Sequence, residues 1–233
     1  MTTSPVESVS KNFVSVLKQI EMAAEKSGRD PADICLVTVT KTVPVEKVNE
    51  AVRAGAQVIG ENKVQEARDK FPMLSPCIRH LIGNLQKNKV KYVFDLFEMI
   101  QSVHSFDLAV EIDRRAVLLN RKIDILVQVN IGNEKTKYGI APNEAVEFFK
   151  KTGTLKNVVC KGLMCIPPFS EYPESSRPYF KTMVKLRNEI EQKASPPCPL
   201  TELSMGMTND FSVAIEEGAT IVRVGRAIFG GRT

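Results

Sequence analysis

Apolar residues recur along this chain with two different periods, and segments of the two kinds alternate. Between residues 6 and 25 they fall at helical spacing (Val9, Phe13, Val16, Leu17, Ile20, Ala24), and Ser27-Gly28 closes the segment. The next run, Ile34-Cys35-Leu36-Val37-Thr38-Val39-Thr40, is uncharged and rich in β-branched residues, as a buried strand requires. Pro44 then opens a helix that Gly55 closes, and a strand follows at 57–60. A helix over 62–70 precedes a strand at 78–82, and one over 86–92 precedes a strand at 98–102. Ser105 caps a helix to 119, ahead of a strand at 123–130; Pro142 stands in the first turn of a helix to 151, ahead of a strand at 158–164. A helix over 177–192 lies between two Pro-rich connections and leads to a strand at 200–203. A helix over 210–217, stopped by Gly218, precedes the last strand at 220–224.

Eight strands alternating with helices at short spacing predict parallel βαβ units. At 233 residues the chain is just under the usual size of a (β/α)8 barrel. The predicted fold class is therefore α/β, a single (β/α)8 TIM barrel with an additional N-terminal helix that covers the closing seam. An open doubly wound sheet is the alternative, but the G-x-G-x-x-G fingerprint after the first strand is absent. No linker, composition break or low-complexity tract divides the chain, so residues 1–233 are expected to form one domain.

Composition narrows the function classes. With 43% hydrophobic and 25% charged residues the chain is neither disordered nor collagen-like. A net charge of +5, scattered along the sequence, argues against nucleic acid and suits a small anionic ligand. Five cysteines without a C-x-x-C pair read as reduced thiols, and two histidines make a His-rich metal site a poor expectation. No apolar run reaches the roughly 18 residues a membrane helix needs, and the N-terminus has neither a signal core nor an Arg-rich transit pattern. A cytoplasmic protein without membrane contact is expected.

In a barrel, polar residues just past the C-terminal end of each strand share one face. That rule singles out Lys41, Asn62, His80, Asn84, His104, Asn130, the run Ser204-Met205-Gly206-Met207-Thr208, and Arg223-Val224-Gly225-Arg226. Lys41 follows a buried strand, where desolvation favours the neutral amine that condenses with carbonyls; a lysine that simply leaves the barrel for solvent is the other reading. The 204–208 run reads as a strand-to-helix turn gathering amides and two hydroxyls, either as a phosphate cradle with Arg223–Arg226 or as an ordinary helix cap. Together, a lysine after strand one and a cradle after strands seven and eight suggest a phosphorylated carbonyl compound. His80 and His104 could face a planar ligand or be packed residues; Lys87-Asn88-Lys89-Val90-Lys91 reads as a solvated helix face, and Met164, Met205 and Met207 as core.

Val39-Thr40-Lys41-Thr42-Val43-Pro44, Gly60-Glu61-Asn62-Lys63-Val64-Gln65-Glu66, the stretch from His80 to Lys89, Leu203-Ser204-Met205-Gly206-Met207-Thr208 and Val222-Arg223-Val224-Gly225 together resemble the signatures of the pyridoxal phosphate homeostasis proteins. The resemblance runs in order along nearly the whole chain. It implies a barrel like the N-terminal domain of alanine racemase, with pyridoxal 5'-phosphate held as a Schiff base on Lys41. It further implies Ser204 and Thr208 beside the phosphate, backbone amides of Gly225 and Arg226 on the same group, Arg223 facing the pyridine nitrogen, and Asn62 and His80 lining the ring. Arg226 stands where Ser or Thr is expected, and its side chain cannot reproduce a hydroxyl contact; Gly132 stands where Ser is common.

Two functions of different class follow. One is a non-catalytic carrier that buffers the cofactor and supplies apo pyridoxal-phosphate enzymes. The other is an amino-acid racemase of the alanine racemase type. An arginine at the ring nitrogen leaves that nitrogen unprotonated, a weaker electron sink, but alanine racemase shares this feature and it does not decide alone; the barrel is also expected to consume the chain that a second catalytic domain would need. Of the four tyrosines, Tyr172 is the one expected to reach the mouth. The expectation is the carrier.

Overall fold

The uncharged run at 34–40 forms a strand, β1 (Cys35–Val39), in the computed structural model, which describes residues 8–134 and 136–231. Seven more strands follow: β2 (Val58–Glu61), β3 (Ile78–Leu81), β4 (Met99–Val103), β5 (Ile123–Val129), β6 (Val158–Cys165), β7 (Glu202–Met207) and β8 (Ile221–Val224). All pair in parallel, each with the next, and β8 returns to β1 with Cys35 opposite Ile221 and Thr38 opposite Val224. The result is a closed eight-stranded barrel.

Helices α1 (Val9–Lys26), α2 (Val45–Arg53), α3 (Val64–Lys70), α4 (Phe106–Leu118), α5 (Ala145–Thr152), α6 (Arg177–Ala194), α7 (Phe211–Glu216) and α8 (Arg226–Phe229) surround it. The expected helix between β3 and β4 is a 3-10 segment, Lys87–Tyr92; Val90 is its one buried residue, too little apolar face to anchor an α-helix. The last helix, α8, has four residues and cannot cover the β8–β1 seam. α1 does so instead, packing on α2, α7 and α8 with Phe13, Val16 and Ile20 buried, while Asn12 Nδ2 donates to the Ile228 carbonyl at 3.1 Å. Ser8 caps it by accepting from the Lys11 amide; the predicted start at Val6 lies outside the described residues.

Two apolar layers result. The larger lies between strands and helices, and a smaller plug of Val37, Val58, Leu126, Met164 and Ile221 fills the barrel's interior. Side chains two apart on a strand share a face, so Arg223 stands one step above the Ile221 of this plug. Gly60 shows how tight the interior is: a Cβ there would lie 2.7 Å from Val37 Cγ1.

The largest departure from the expected elements is β7. It runs through Met207 instead of ending at 203, so Ser204 is a strand residue and not part of a turn. Serine and glycine lower the strand signal of 204–207, but pairing of Leu203 and Ser204 with Leu163 and Met164 carries the strand on.

Candidate functional site

Lys41 stands two residues beyond β1, half-buried, in a turn held from both sides. The Thr40 amide donates to the Gly60 carbonyl at 3.0 Å, and the Val43 amide donates to the Thr40 carbonyl at 3.0 Å. The same Thr40 carbonyl accepts from Lys70 Nζ at 2.8 Å. On the other side of Lys41, the Thr42 amide donates to Glu66 Oε1, and Thr42 sits at φ +62°, a left-handed conformation that costs a β-branched residue about 1–2 kcal/mol. Lys70 lies 2.6 Å from Glu61 Oε1 and 2.9 Å from Glu66 Oε1, and Thr40 Oγ1 also donates to Glu61. A buried charged cluster thus grips the backbone on each side of Lys41. Burial pushes the Glu61 carboxyl up against the downward pull of Lys70 and Thr40.

On the strand next to β1, Arg223 of β8 points into the lumen and is 4% exposed. Its Nη2 donates to the Cys165 carbonyl at 2.8 Å and its Nη1 donates to Ser204 Oγ. Ser204 donates to Gln101 Oε1 at 2.7 Å, and Gln101 Nε2 lies 2.9 Å from His80 Nδ1. Because β4 and β7 are not neighbours, the Gln101–Ser204 bond crosses the barrel. Both partners of Arg223 are neutral, and among the described residues no carboxylate lies within ion-pair distance of it. The nearest acidic influence is Asp210, whose oxygens accept from the Met207 amide at 2.7 Å and Ser176 Oγ at 2.8 Å. Burial holds the Arg223 guanidinium below its usual pKa and the His80 imidazole down at about 4.

The two sides meet at the β1–β8 seam. Gly225 packs on Val39, where a Cβ would lie 3.1 Å from the Val39 carbonyl oxygen. Thr208 follows β7, half-buried, and the amides of Gly225 and Arg226 open α8, ahead of its first intrahelical bonds. The Arg226 side chain is exposed. Asn62, Asn84, Gln128, Asn130 and Tyr138 line a cleft of about 230 Å³ at the ends of β2, β3 and β5.

Two expectations are corrected here, at Ser204 and at the tyrosines. Ser204 is fully buried inside β7 with its hydroxyl engaged by Gln101 and Arg223, because the strand continues past it; it does not stand in a turn at a helix N-terminus. Asn130 stands at the mouth as expected, with its side chain committed to the Glu134 carbonyl and amide. The tyrosine at the cleft is Tyr138, tilted against His104 at 5.2 Å between ring centroids, whereas Tyr172 is three-quarters exposed. Gln101 and Lys70 were not singled out from sequence. Gln101 had one signal, a polar residue sharing a strand face with Met99; Lys70 had none beyond its helix.

All five cysteines are free thiols; burial pushes Cys35 up to about 11 and Cys160 and Cys165 up to about 12, which makes them inert. Among the described residues no group of three or more His, Cys, Asp or Glu could hold a metal ion, and no helix is long and apolar enough to cross a membrane.

A closed parallel barrel with a lysine beyond its first strand and a buried arginine on its eighth matches one fold class: residues 17–233 fit the family model described as alanine racemase, N-terminal domain. Within that class, the chain is 45% identical over 219 residues to the pyridoxal phosphate homeostasis protein of Aquifex aeolicus, covering 93% of this chain and 95% of that one. It is 34% identical over 228 residues to the namesake from Pasteurella multocida, covering 96% and 97%. Among solved structures, PipY of Synechococcus elongatus with PLP bound superposes with a TM-score of 0.83 at 32% identity, over 95% of this chain and all of that one (100%). The chain belongs to the pyridoxal phosphate homeostasis protein family.

Proposed function

We propose that this chain binds pyridoxal 5'-phosphate as a Schiff base on Lys41 and holds it for apo pyridoxal-phosphate enzymes without catalysing a reaction on it. The observation that carries the reading is Arg223: a guanidinium buried as deeply as a core residue, with only neutral partners, beside the turn that holds Lys41. A buried cation without a counter-charge is costly, and an electron-rich ligand acceptor offsets that cost. The PLP-bound PipY supports the same ligand.

Bound pyridoxal phosphate supplies an aldehyde, which condenses with an amine and releases water, and a ring that withdraws electrons. The chain's own residues divide the rest. The clamp at Thr40 and Thr42 aims Lys41. Thr208 and the amides of Gly225 and Arg226 take the phosphate, so the side chain of Arg226 is not needed there. Arg223 faces the ring nitrogen as a permanent donor and keeps it unprotonated. Asn62 and His80 line the ring, and Ser204 acts through Arg223. An unprotonated ring is a weaker sink for carbanion electrons, but alanine racemase shares that feature, so by itself it does not separate a carrier from a racemase.

Borohydride reduction of the loaded protein, followed by peptide mapping, tests the site. Label on the peptide containing Lys41 and a colourless Lys41→Ala variant are expected; label on another lysine with Lys41 untouched overturns the assignment. The racemase alternative rests on Tyr138 at the cleft. Cα deuterium exchange of L-amino acids at about 1 s⁻¹ or faster, abolished by Tyr138→Phe, would establish it over the carrier reading.

A further inference from the structure

We infer that Gln101 is a positioning residue of this site: it completes a one-way hydrogen-bond chain, Arg223 to Ser204 to Gln101 to His80, that holds His80 neutral with its proton on Nε2. The directions follow from donor chemistry together with the amide orientation, Oε1 toward Ser204 and Nε2 toward His80. Arginine has only donors, so Ser204 Oγ accepts from Arg223. The single serine proton then goes to Gln101 Oε1 at 2.7 Å. With its oxygen turned to Ser204, Gln101 presents its NH2 to His80 Nδ1 at 2.9 Å. An NH2 only donates, so Nδ1 must be the bare nitrogen.

Burial makes the chain obligatory. Ser204 and Gln101 are fully buried, and Arg223 and His80 are 4% and 7% exposed, so no member exchanges its partner for water without cost. An imidazolium at His80 would set an Nδ1–H against the Gln101 NH2. The low His80 pKa, caused by burial, is consistent with the neutral ring. The link to the cofactor rests on the proposed roles of Arg223 and His80: Gln101 orients both, though it was implied in neither.

The test uses ¹⁵N-histidine NMR on the ligand-free full chain at pH 7. The chain has two histidines, so His104→Asn assigns the signals. The wild type should show an unprotonated Nδ1 and a protonated Nε2 at His80. Gln101→Glu keeps the shape but offers only acceptors, and should move the His80 proton onto Nδ1. Gln101→Leu should leave the tautomer mixed. A wild-type His80 protonated on Nδ1, or a tautomer unchanged in folded Gln101→Glu, overturns the chain. Pyridoxal phosphate should then dissociate about tenfold faster from Gln101→Glu than from wild type, the scale of one net hydrogen bond; an unchanged rate despite a switched tautomer overturns the positioning role. If wild type fails to bind pyridoxal phosphate, the proposed function falls while the tautomer result stands.

Discussion

Two cations are buried at the mouth of this barrel to almost the same depth, Lys70 at 7% exposure and Arg223 at 4%, and they are treated in opposite ways. Lys70 sits between two carboxylates, at 2.6 Å from Glu61 and 2.9 Å from Glu66. Arg223 bonds only a hydroxyl and a carbonyl. Depth is therefore not what separates them; counter-charge is. The Lys70 charge is neutralised within the protein and used to hold the backbone on either side of Lys41, where a threonine is kept at a positive φ. The Arg223 charge is held in place by neutral groups and left available. A buried charge that is paired within the chain speaks for architecture, and one that is positioned but not paired speaks for a ligand.

The largest effect expected from breaking this contrast is on stability. Lys70→Met leaves Glu61 buried beside a hydrophobe and should cost about 3–5 kcal/mol in urea unfolding. Adding Glu61→Gln should restore part of it. A Lys70→Met variant as stable as wild type would mean that the cluster is not the anchor of the Lys41 turn.

Acid should separate the two sides next. His80 is held at about 4 by burial, against an ordinary 6.5, so the unfolded chain takes up a proton first as pH falls. Its contribution to stability is complete above pH 6.5, declines through the interval, and is lost by about pH 4, roughly 3 kcal/mol in all. On the clamp side, burial pushes Glu66 up, but bonds from Lys70 and the Thr42 amide outweigh it and leave it lowered. Glu66 therefore loses its contribution only as pH falls through the usual carboxylate range and below it, while Glu61, pushed up by burial, acts in the opposite sense and adds no acid-labile term. Unfolding measured from pH 7 to pH 4 should therefore show a decline that His80→Gln removes. The same slope in His80→Gln would assign it to other groups.

The smallest effect sharpens the ligand side. Arg223→Met removes a cation that has no counter-charge, so its stability should change far less than that of Lys70→Met. Pyridoxal phosphate binding should weaken by about 1.5–3 kcal/mol, the worth of a hydrogen bond from a charged donor. Equal destabilisation by the two substitutions, measured by urea unfolding beside a cofactor titration, would erase the distinction.

Much of this arrangement was legible before any coordinates. The run at 34–40 announces β1 because a strand covered on both faces excludes charge, and the first charge after it, Lys41, marks the mouth. Arg223 was found by the same rule of position. The helix ahead of β1 was legible from its apolar spacing, and its packing over the β8–β1 seam goes with an α8 of only four residues. Other features were misread for identifiable reasons. Serine and glycine in 204–207 look like a turn when local propensity alone is weighed, and pairing with β6 overrules it. The three lysines of 87–91 read as a helix face, yet a segment with one buried residue closes as a 3-10 turn.

By itself, then, the order of apolar and polar positions determined the eight alternating units, the closed barrel they build, and which residues stand at its mouth, because strand and helix periodicities are local and a barrel puts all strand ends on one face. What the tertiary structure decided is how those residues are partnered. Ser204 and Gln101 are 103 positions apart and meet only when the barrel closes around them. Glu61 becomes the buried partner of Lys70 only because α3 folds back over β2. Partnering of this kind depends on distance across the lumen and on exclusion of water, and neither is written in the spacing of residues along the chain.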